Sequence, residues 1–552
     1  MRTAAFIQTA AIEMMILFWG CTPIEPAPPK PAKTQAATSE AVATPPKIKN
    51  LIIYIGDGMG PEAVGLLNAY AKYAETSIYK PERQTALEQA MADGTLGLVY
   101  HDAAENLVTD SAASATQIAS GKRALLEAVG IDERGEPVQT VLDKAQTLGK
   151  SVGLVSDTRV THATPAAFAA HVPSRGQEND IAVQLIDKKI DVLLSGGLRH
   201  FLPATMDKLP PERLQQLRNR FGDAVATAST RTDERNLTAE ATASGYRTVY
   251  SKDELKQAKH ADRLLGLFAL SSMPYRIDTV QRPDRAMPTL TEMTESALTI
   301  LARNRNGFFL MVESGIIDWT EHDNDAGSLL HEMIRFDETL RLLHSFVSSR
   351  DDTLLIVTAD HDTGGFGFSY SKQDIPTPIP FPGNRYPQSR YAPSANFGSR
   401  NVLDKLYAQK MSYASMFRRL DETTEGMSDS EKAAALRKLV EENTEFPITQ
   451  EEALRVLETE PNAYRASGHK NLDRTRFPRV DDFKPFYIYG DDVRRALLAR
   501  MCAGRQNTVW STGTHTATPV PLIVLGPQNI TRQFRGLLHT TQWAGTAKDV
   551  LE

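Results

Sequence analysis

Short apolar runs punctuate the chain from residue 51 onward, at 51–55, 96–100, 152–155, 192–194, 308–312, 354–357 and 522–525. Each is too short for a helix and nearly continuous, which is the pattern of strands buried on both faces of a parallel sheet. Amphipathic segments lie between them. In 328–348, Leu329, Met333, Phe336, Leu340, Leu343 and Val347 recur every three or four residues and predict one apolar helical face. This alternation predicts an α/β fold: a doubly wound sandwich with a central, mostly parallel sheet and helices on both faces. Ligands in such folds bind beyond the carboxyl ends of the strands. The pattern breaks at 371–510. A Pro- and Tyr-rich coil (375–391) is followed there by polar amphipathic helices such as 428–443, so the segment reads as a large insertion lying over the core. The core pattern resumes at 511–552.

Residues 1–47 follow a different pattern. Arg2 precedes an apolar stretch, Met14 to Trp19, that ends at Gly20-Cys21. A small residue before cysteine resembles a bacterial lipobox and predicts an export signal over 1–21 with lipid attachment at Cys21. Residues 22–47 are rich in Pro, Ala, Thr and Lys and predict an extended, disordered tether. The expected location is the cell envelope, as a periplasmic or membrane-anchored lipoprotein. The one other cysteine is Cys502. Net charge is −6, from 62 basic and 68 acidic residues, which argues against nucleic-acid binding as the main function. Any affinity for phosphate must be built locally.

Candidate ligands stand just past apolar runs or at sharp turns. Asp57 sits between Gly56 and Gly58 after the first run. Glu313, Asp318 and His322 fall in FFLMVESGIIDWTEH, Asp360 and His361 in TLLIVTADHD, and His515 in STGTHT. Asp318 and His322 are four apart, so on a helix they can share one cation or form a surface ion pair. Asp360-His361 at a strand end is costly to bury without a partner. Ser111 opens a small-residue segment at 110–116, where a hydroxyl meets the positive end of a helix dipole; Asp110 or Ser111 as a plain N-cap is the alternative. Carboxylates and imidazoles suit zinc, carboxylates with a hydroxyl suit magnesium, and several metals around one serine point to phosphoryl transfer.

The segments DSAASAT (110–116) with Gly121-Lys122, HATPAAFAAHVPSR (162–175), VESGIID (312–318), ADH (359–361) and GTHT (513–516) stand in one order that resembles the alkaline phosphatase family. The resemblance covers about 48–370 and 511–552, with 371–510 as an insertion over the active site. It implies hydrolysis of phosphate monoesters with Ser111 as a nucleophile that becomes phosphoserine. It further implies two Zn²⁺ and one Mg²⁺: Asp318, His322 and His515 hold the first zinc, Asp57, Asp360 and His361 the second. Glu313, Thr164 and Asp57 hold magnesium, with His162 beside them where the best-known pattern has an aspartate. Arg175, oriented by Asp110, grips the phosphate. Trp319 borders substrate in place of a lysine, and Thr363 stands in place of a histidine. The implied partners are small phosphorylated substrates, with a homodimer and a membrane contact through the lipid left open. A phosphodiesterase or sulfatase of the same superfamily is the alternative enzyme, and a non-catalytic metal- or phosphate-binding lipoprotein the alternative class. Arg175 paired with Asp110 favours the terminal phosphate of a monoester.

Overall fold

The computed structural model describes residues 47–280 and 286–552. The segments expected to form a leader and tether therefore lie outside the described residues, apart from Lys47, and so does Cys21. Ten strands form one sheet: β1 (Asn50–Gly56), β2 (Thr95–Tyr100), β3 (Ser151–Arg159), β4 (Val192–Gly196), β5 (Tyr246–Val249), β6 (Arg263–Leu267), β7 (Phe308–Ser314), β8 (Thr353–Thr358), β9 (Val520–Leu525) and β10 (Gly536–His539). Their order is β10-β2-β9-β8-β1-β7-β3-β4-β6-β5. β1 pairs in parallel with both β7 and β8, while β9 runs antiparallel to both of its neighbours. The expected mostly parallel α/β sandwich is the observed fold.

β1, β7 and β8 are buried along their whole length, as continuous apolar runs require once helices cover both faces. The helix Ala326–Val347 packs against this centre, and Phe336 stacks on Tyr54 with ring centroids 4.4 Å apart. The run 96–100 departs from the expectation. Leu96, Leu98 and Tyr100 are exposed while Val99 is buried, so one face of β2 is left uncovered near the sheet edge. β5, β6 and β10 were not among the expected runs. They are four or five residues long and lie at or next to an edge, where pairing rather than a long apolar signal defines them.

The segment 371–510 carries five helices, Asn401–Tyr407, Tyr413–Thr423, Asp429–Asn443, Gln450–Leu457 and Gly490–Gln506. They bury Tyr413, Phe417, Leu436, Val456 and Leu498 in a core continuous with that of the sheet. The chain leaves through Phe366–Phe368 and returns through Thr508–Trp510, and these two stretches pair antiparallel. Entry and exit are thus closed together. Among the described residues, no helix is long and apolar enough to cross a membrane.

Candidate active site

The mostly parallel sheet gathers the site along the edge formed by the carboxyl ends of its central strands. Asp57 directly follows β1, Glu313 lies near the carboxyl end of β7, and Asp360-His361 come two and three residues after β8. His162 and Thr164 lie in the turn and short helix that follow β3. β9 runs the other way, so the residues before it reach the same edge: His515-Thr516 pair antiparallel with Asp362-Thr363. That ribbon stacks the His515 ring on the His361 ring at 3.6 Å. Gly58 has φ +78, and a Cβ there would stand 2.7 Å from Glu321 Oε2 and 2.8 Å from the Asp318 Cα, so the turn after Asp57 requires glycine. Ser111 is the first residue of the helix Ser111–Ser120, capped by Asp110, whose carboxylate accepts from Ala113 N at 2.9 Å. The N-cap alternative therefore holds for Asp110 and leaves the Ser111 hydroxyl free to face the site, 3.2 Å from His361 Nε2.

Three groups of side chains are close enough to hold a cation each: Asp318 with His361 and His515, Asp57 with Asp360 and His361, and Asp57 with His162 and Glu313. His322 joins the first, its Nε2 lying 3.4 Å from Asp318 Oδ2 and 3.2 Å from His515 Nε2. The Nδ1 atoms of His322 and His515 face the carbonyls of Gly513 and Thr109 at 2.8 and 2.9 Å. A proton held there turns the Nε2 lone pair toward the centre of the group. In the second group, His361 Nε2 is 3.5 Å from Asp57 Oδ1 and 3.4 Å from Asp360 Oδ2. In the third, Glu313 Oε2 accepts from Ser156 Oγ and, at 3.1 Å, from Thr158 Oγ1. Thr164 Oγ1 donates to Asp57 Oδ2 at 3.3 Å. Thr363 ties two groups together, donating to Asp318 Oδ1 at 2.6 Å while its hydroxyl lies 3.2 Å from His361 Nδ1.

Four atoms aimed into these groups are buried with no hydrogen-bond partner: Asp57 Oδ1, Asp360 Oδ2, Glu313 Oε1 and His162 Nδ1. Leaving such an atom unmatched costs about 1–3 kcal/mol, so four in one place call for a ligand that is not a side chain. The electrostatics specify its sign. Burial pushes the Asp57 carboxyl well above the usual range, and the charges of Asp360, Asp318 and Glu313 push it further. Asp360 is raised to about 8 by burial and by Asp318. Burial also holds His361 well below the ordinary imidazole value, with His515 adding to the effect, and brings His515 down to about 4. Asp318 and His322 behave oppositely. Against the cost of burial, His322 and the other imidazoles hold Asp318 well below the carboxylate range, and Asp318 lifts His322 to about 9. Crowded buried carboxylates with neutral imidazoles are the donor set of divalent cations.

Above these groups opens a cleft of about 730 Å³, lined by Ser111, Arg175, His162, Trp319, Tyr489 and Lys470 among others. Arg175 NH1 approaches Asp110 Oδ2 at 3.4 Å and its NH2 meets His162 Nε2 at 3.2 Å. Trp319 meets the His162 ring edge-on, centroids 6.0 Å apart. The fourteen site residues singled out in the sequence, Thr363 among them, thus meet at one edge of the sheet. The sequence reading expected 371–510 over the active site but did not name the residues of it that line the cleft: Tyr489, which packs edge-on against His322 at 5.0 Å, Asp492, and the turn at 468–471. The turn at 468–471 lies in a polar loop that gives no register, and the short run Phe486–Ile488 before Tyr489 forms no strand of the sheet. Sequence reasoning also missed the base of the wall at Arg159 and Glu178, joined at 2.7 Å.

The alkaline phosphatase family profile matches residues 48–455. The chain belongs to the alkaline phosphatase family. Alkaline phosphatase 3 of Bacillus subtilis strain 168 is 35% identical over 326 residues, an alignment covering 58% of this chain and 62% of that protein. Alkaline phosphatase H of Pseudomonas aeruginosa strain UCBPP-PA14 is 32% identical over 378 residues, 61% of this chain and 72% of that one. The chain thus matches less than two thirds of the length of the Bacillus relative. Among solved structures, the alkaline phosphatase of Thermus thermophilus superposes with a TM-score of 0.71 at 28% identity, over 92% of this chain and 91% of its own. The cold-active enzyme of a psychrophilic Shewanella species shares the fold, with a TM-score of 0.64 at 24% identity over 91% and 100% of the two chains.

Proposed function

We propose that the protein hydrolyses phosphate monoesters to an alcohol and inorganic phosphate, with Ser111 as nucleophile. The observation that carries this reading is the position of the Ser111 hydroxyl. It stands at a helix N-terminus, against His361 and in one cleft with Arg175, beside three groups of metal-capable side chains, two of which hold buried atoms without a hydrogen-bond partner. Ser111 Oγ attacks phosphorus, the ester oxygen departs with the bonding electron pair, and water then cleaves the phosphoserine to restore the hydroxyl. Arg175 spans two non-bridging oxygens with its planar fork, and Asp110 and His162 hold the guanidinium in place. The free N–H groups at the start of the Ser111 helix add positive potential where the phosphoryl oxygens sit. The reading includes two Zn²⁺, one held by Asp318, His322 and His515 and one by Asp57, Asp360 and His361, with Mg²⁺ beside Asp57, Thr164, Glu313 and His162. When bound, these cations neutralise the attacking and leaving oxygens and lower the proton affinity of the serine hydroxyl and of water.

The test compares a phosphate monoester, the corresponding diester and the sulfate ester as substrates, before and after chelation and with zinc and magnesium restored. Monoester turnover that disappears with chelator and returns with metal is expected. Preferential cleavage of the diester or the sulfate would replace this reading with one of the alternatives, and metal binding without turnover would leave a binding protein. We propose in addition that the chain is held at the cell envelope by lipid on Cys21, a reading supported by the Gly20-Cys21 motif and the Pro-rich stretch after it.

A further inference from the structure

The segment 371–510 is tied to the site by a charge bridge as well as by packing. Asp323, next to His322, is almost fully buried, and its carboxylate accepts from Arg495 NH1 at 2.8 Å and from the Tyr275 hydroxyl at 3.4 Å. The same Arg495 nitrogen donates to Asp492 Oδ1 at 2.8 Å. Arg495 lies in the helix Gly490–Gln506 and Asp492 in its first turn, and Asp492 lines the cleft together with His322 and Tyr489. Among the described residues, neither carboxylate forms another ion pair. One guanidinium therefore compensates a carboxylate of the core and a carboxylate of the insertion.

The bridge holds the turn that carries His322. Asn324 Nδ2 in that turn donates to the Glu321 and Thr512 carbonyls at 2.8 and 3.0 Å, and Thr512 Oγ1 donates to the Phe486 carbonyl at 2.9 Å. The His322 ring is fixed on two sides, by the Gly513 carbonyl at Nδ1 and by the edge of Tyr489. Its Nε2 is left directed at Asp318 and His515. A buried carboxylate stripped of its cation is strongly destabilising, so the turn at Asp323 depends on Arg495. Asp492 shares the cleft with Ser111. A carboxylate without its cation at that wall repels a phosphate dianion.

We propose that Arg495 is a positioning residue of the site, acting through two carboxylates. Through Asp323 it fixes the turn that presents His322 to the first group of metal-capable side chains. Through Asp492 it removes a negative charge from the wall of the cleft before phosphate arrives. The role in metal retention follows from the geometry of the turn, whereas the role in substrate binding rests on the phosphomonoesterase reading of the same cleft. The insertion is then a condition of the site as well as its cover, because its helix supplies the cation that Asp323 requires.

The experiment uses the full chain with Arg495→Gln, Arg495→Lys, Asp492→Asn, and Arg495→Gln combined with Asp492→Asn. Zinc retained per chain is measured against graded chelator, phosphate affinity by calorimetry on metal-loaded protein, and KM and kcat with glycerol 2-phosphate. Arg495→Gln is expected to weaken zinc retention at one site about 10-fold or more. It raises KM and the phosphate Kd about three- to tenfold. Arg495→Lys recovers part of both effects, because the charge is kept. Adding Asp492→Asn to Arg495→Gln restores KM and phosphate affinity and leaves zinc retention weak, a split that a general loss of stability does not produce. Asp492→Asn alone leaves Asp323 its cation, so zinc retention holds and phosphate binds more tightly. That variant decides the matter should the Arg495 variants fail to accumulate, and unchanged phosphate affinity in it overturns the proposal. Zinc retention unchanged in Arg495→Gln, or KM and zinc retention impaired together and neither restored by the second substitution, overturns it as well. Failure of the unsubstituted protein to cleave glycerol 2-phosphate overturns the phosphatase reading instead, and the zinc and phosphate titrations still decide the role of Arg495.

Discussion

Ser111 and Arg175 divide the chemistry of the cleft between bond-making and recognition, and substitutions at the two positions separate these roles. The Ser111 hydroxyl lies 3.2 Å from His361 Nε2, beside the groups of metal-capable side chains. Ser111→Ala is expected to lower monoester turnover by several orders of magnitude, about 10³-fold or more, while zinc per chain stays constant. Turnover above about a tenth of that of the unsubstituted protein would remove the phosphoserine route. Arg175 is held by Asp110 and by His162, the second of which also belongs to a metal-capable group. Arg175→Ala is expected to raise KM for monoesters about 10- to 100-fold and to weaken inhibition by free phosphate by a similar factor, since the fork grips substrate and product alike. Unaltered phosphate inhibition assigns recognition to another group. Ser111 is legible in the sequence because it opens a helix inside a recognisable motif, whereas Arg175 neither follows a strand nor opens a helix and is legible through its motif alone. Thr363 shows what a motif does not convey: its hydroxyl joins Asp318 to the His361 ring, a contact set by the pairing of 362–363 with 515–516.

At the scale of elements, the long helix Ala326–Val347 connects the site to the segment 371–510. Asp325 caps it and is almost fully buried. Its carboxylate accepts from Ser328 N at 3.0 Å and Ser328 Oγ at 2.7 Å within the cap, then from Gln409 Nε2 at 2.9 Å and Tyr413 N at 2.8 Å across the boundary. One side chain therefore satisfies a helix N-terminus and anchors the segment that forms the outer cleft wall. Asp325→Ala strands several buried donors at once and is expected to destabilise the fold by about 2–4 kcal/mol. The check is the urea midpoint with its slope unchanged, and Asp325→Asn should recover part of the loss because one acceptor oxygen remains. A midpoint unmoved by the alanine would mean that water replaces the cap. The strands of the sheet centre were visible as apolar runs because they are buried on both faces. β5, β6 and β10 were not, because short strands at or next to an edge alternate or mix polarity, and only their neighbours fix their state.

For the whole molecule, the sheet is a rigid frame whose one edge collects ligands from residues 57 to 515, so the site exists only in the folded chain. The described residues fall in one compact unit. The candidate site is built from residues at and after Asp57, and anchoring through Cys21 and activity are therefore expected to separate cleanly. If Cys21 carries lipid, the mature chain begins at that residue, partitions into detergent and keeps Cys502, which is buried, as its single thiol. Acyl chains contribute about 0.8 kcal/mol per buried CH₂, enough for two or three chains to hold a soluble domain of this size at a bilayer. Cys21→Ser is then expected to release active protein into the soluble fraction with unchanged KM and thermal midpoint. N-terminal sequencing and phase partitioning check it together. A mature N-terminus elsewhere, with the unsubstituted protein fully soluble, would remove the anchor and leave the chemistry of the cleft as it stands, because none of its ligands lies before Asp57.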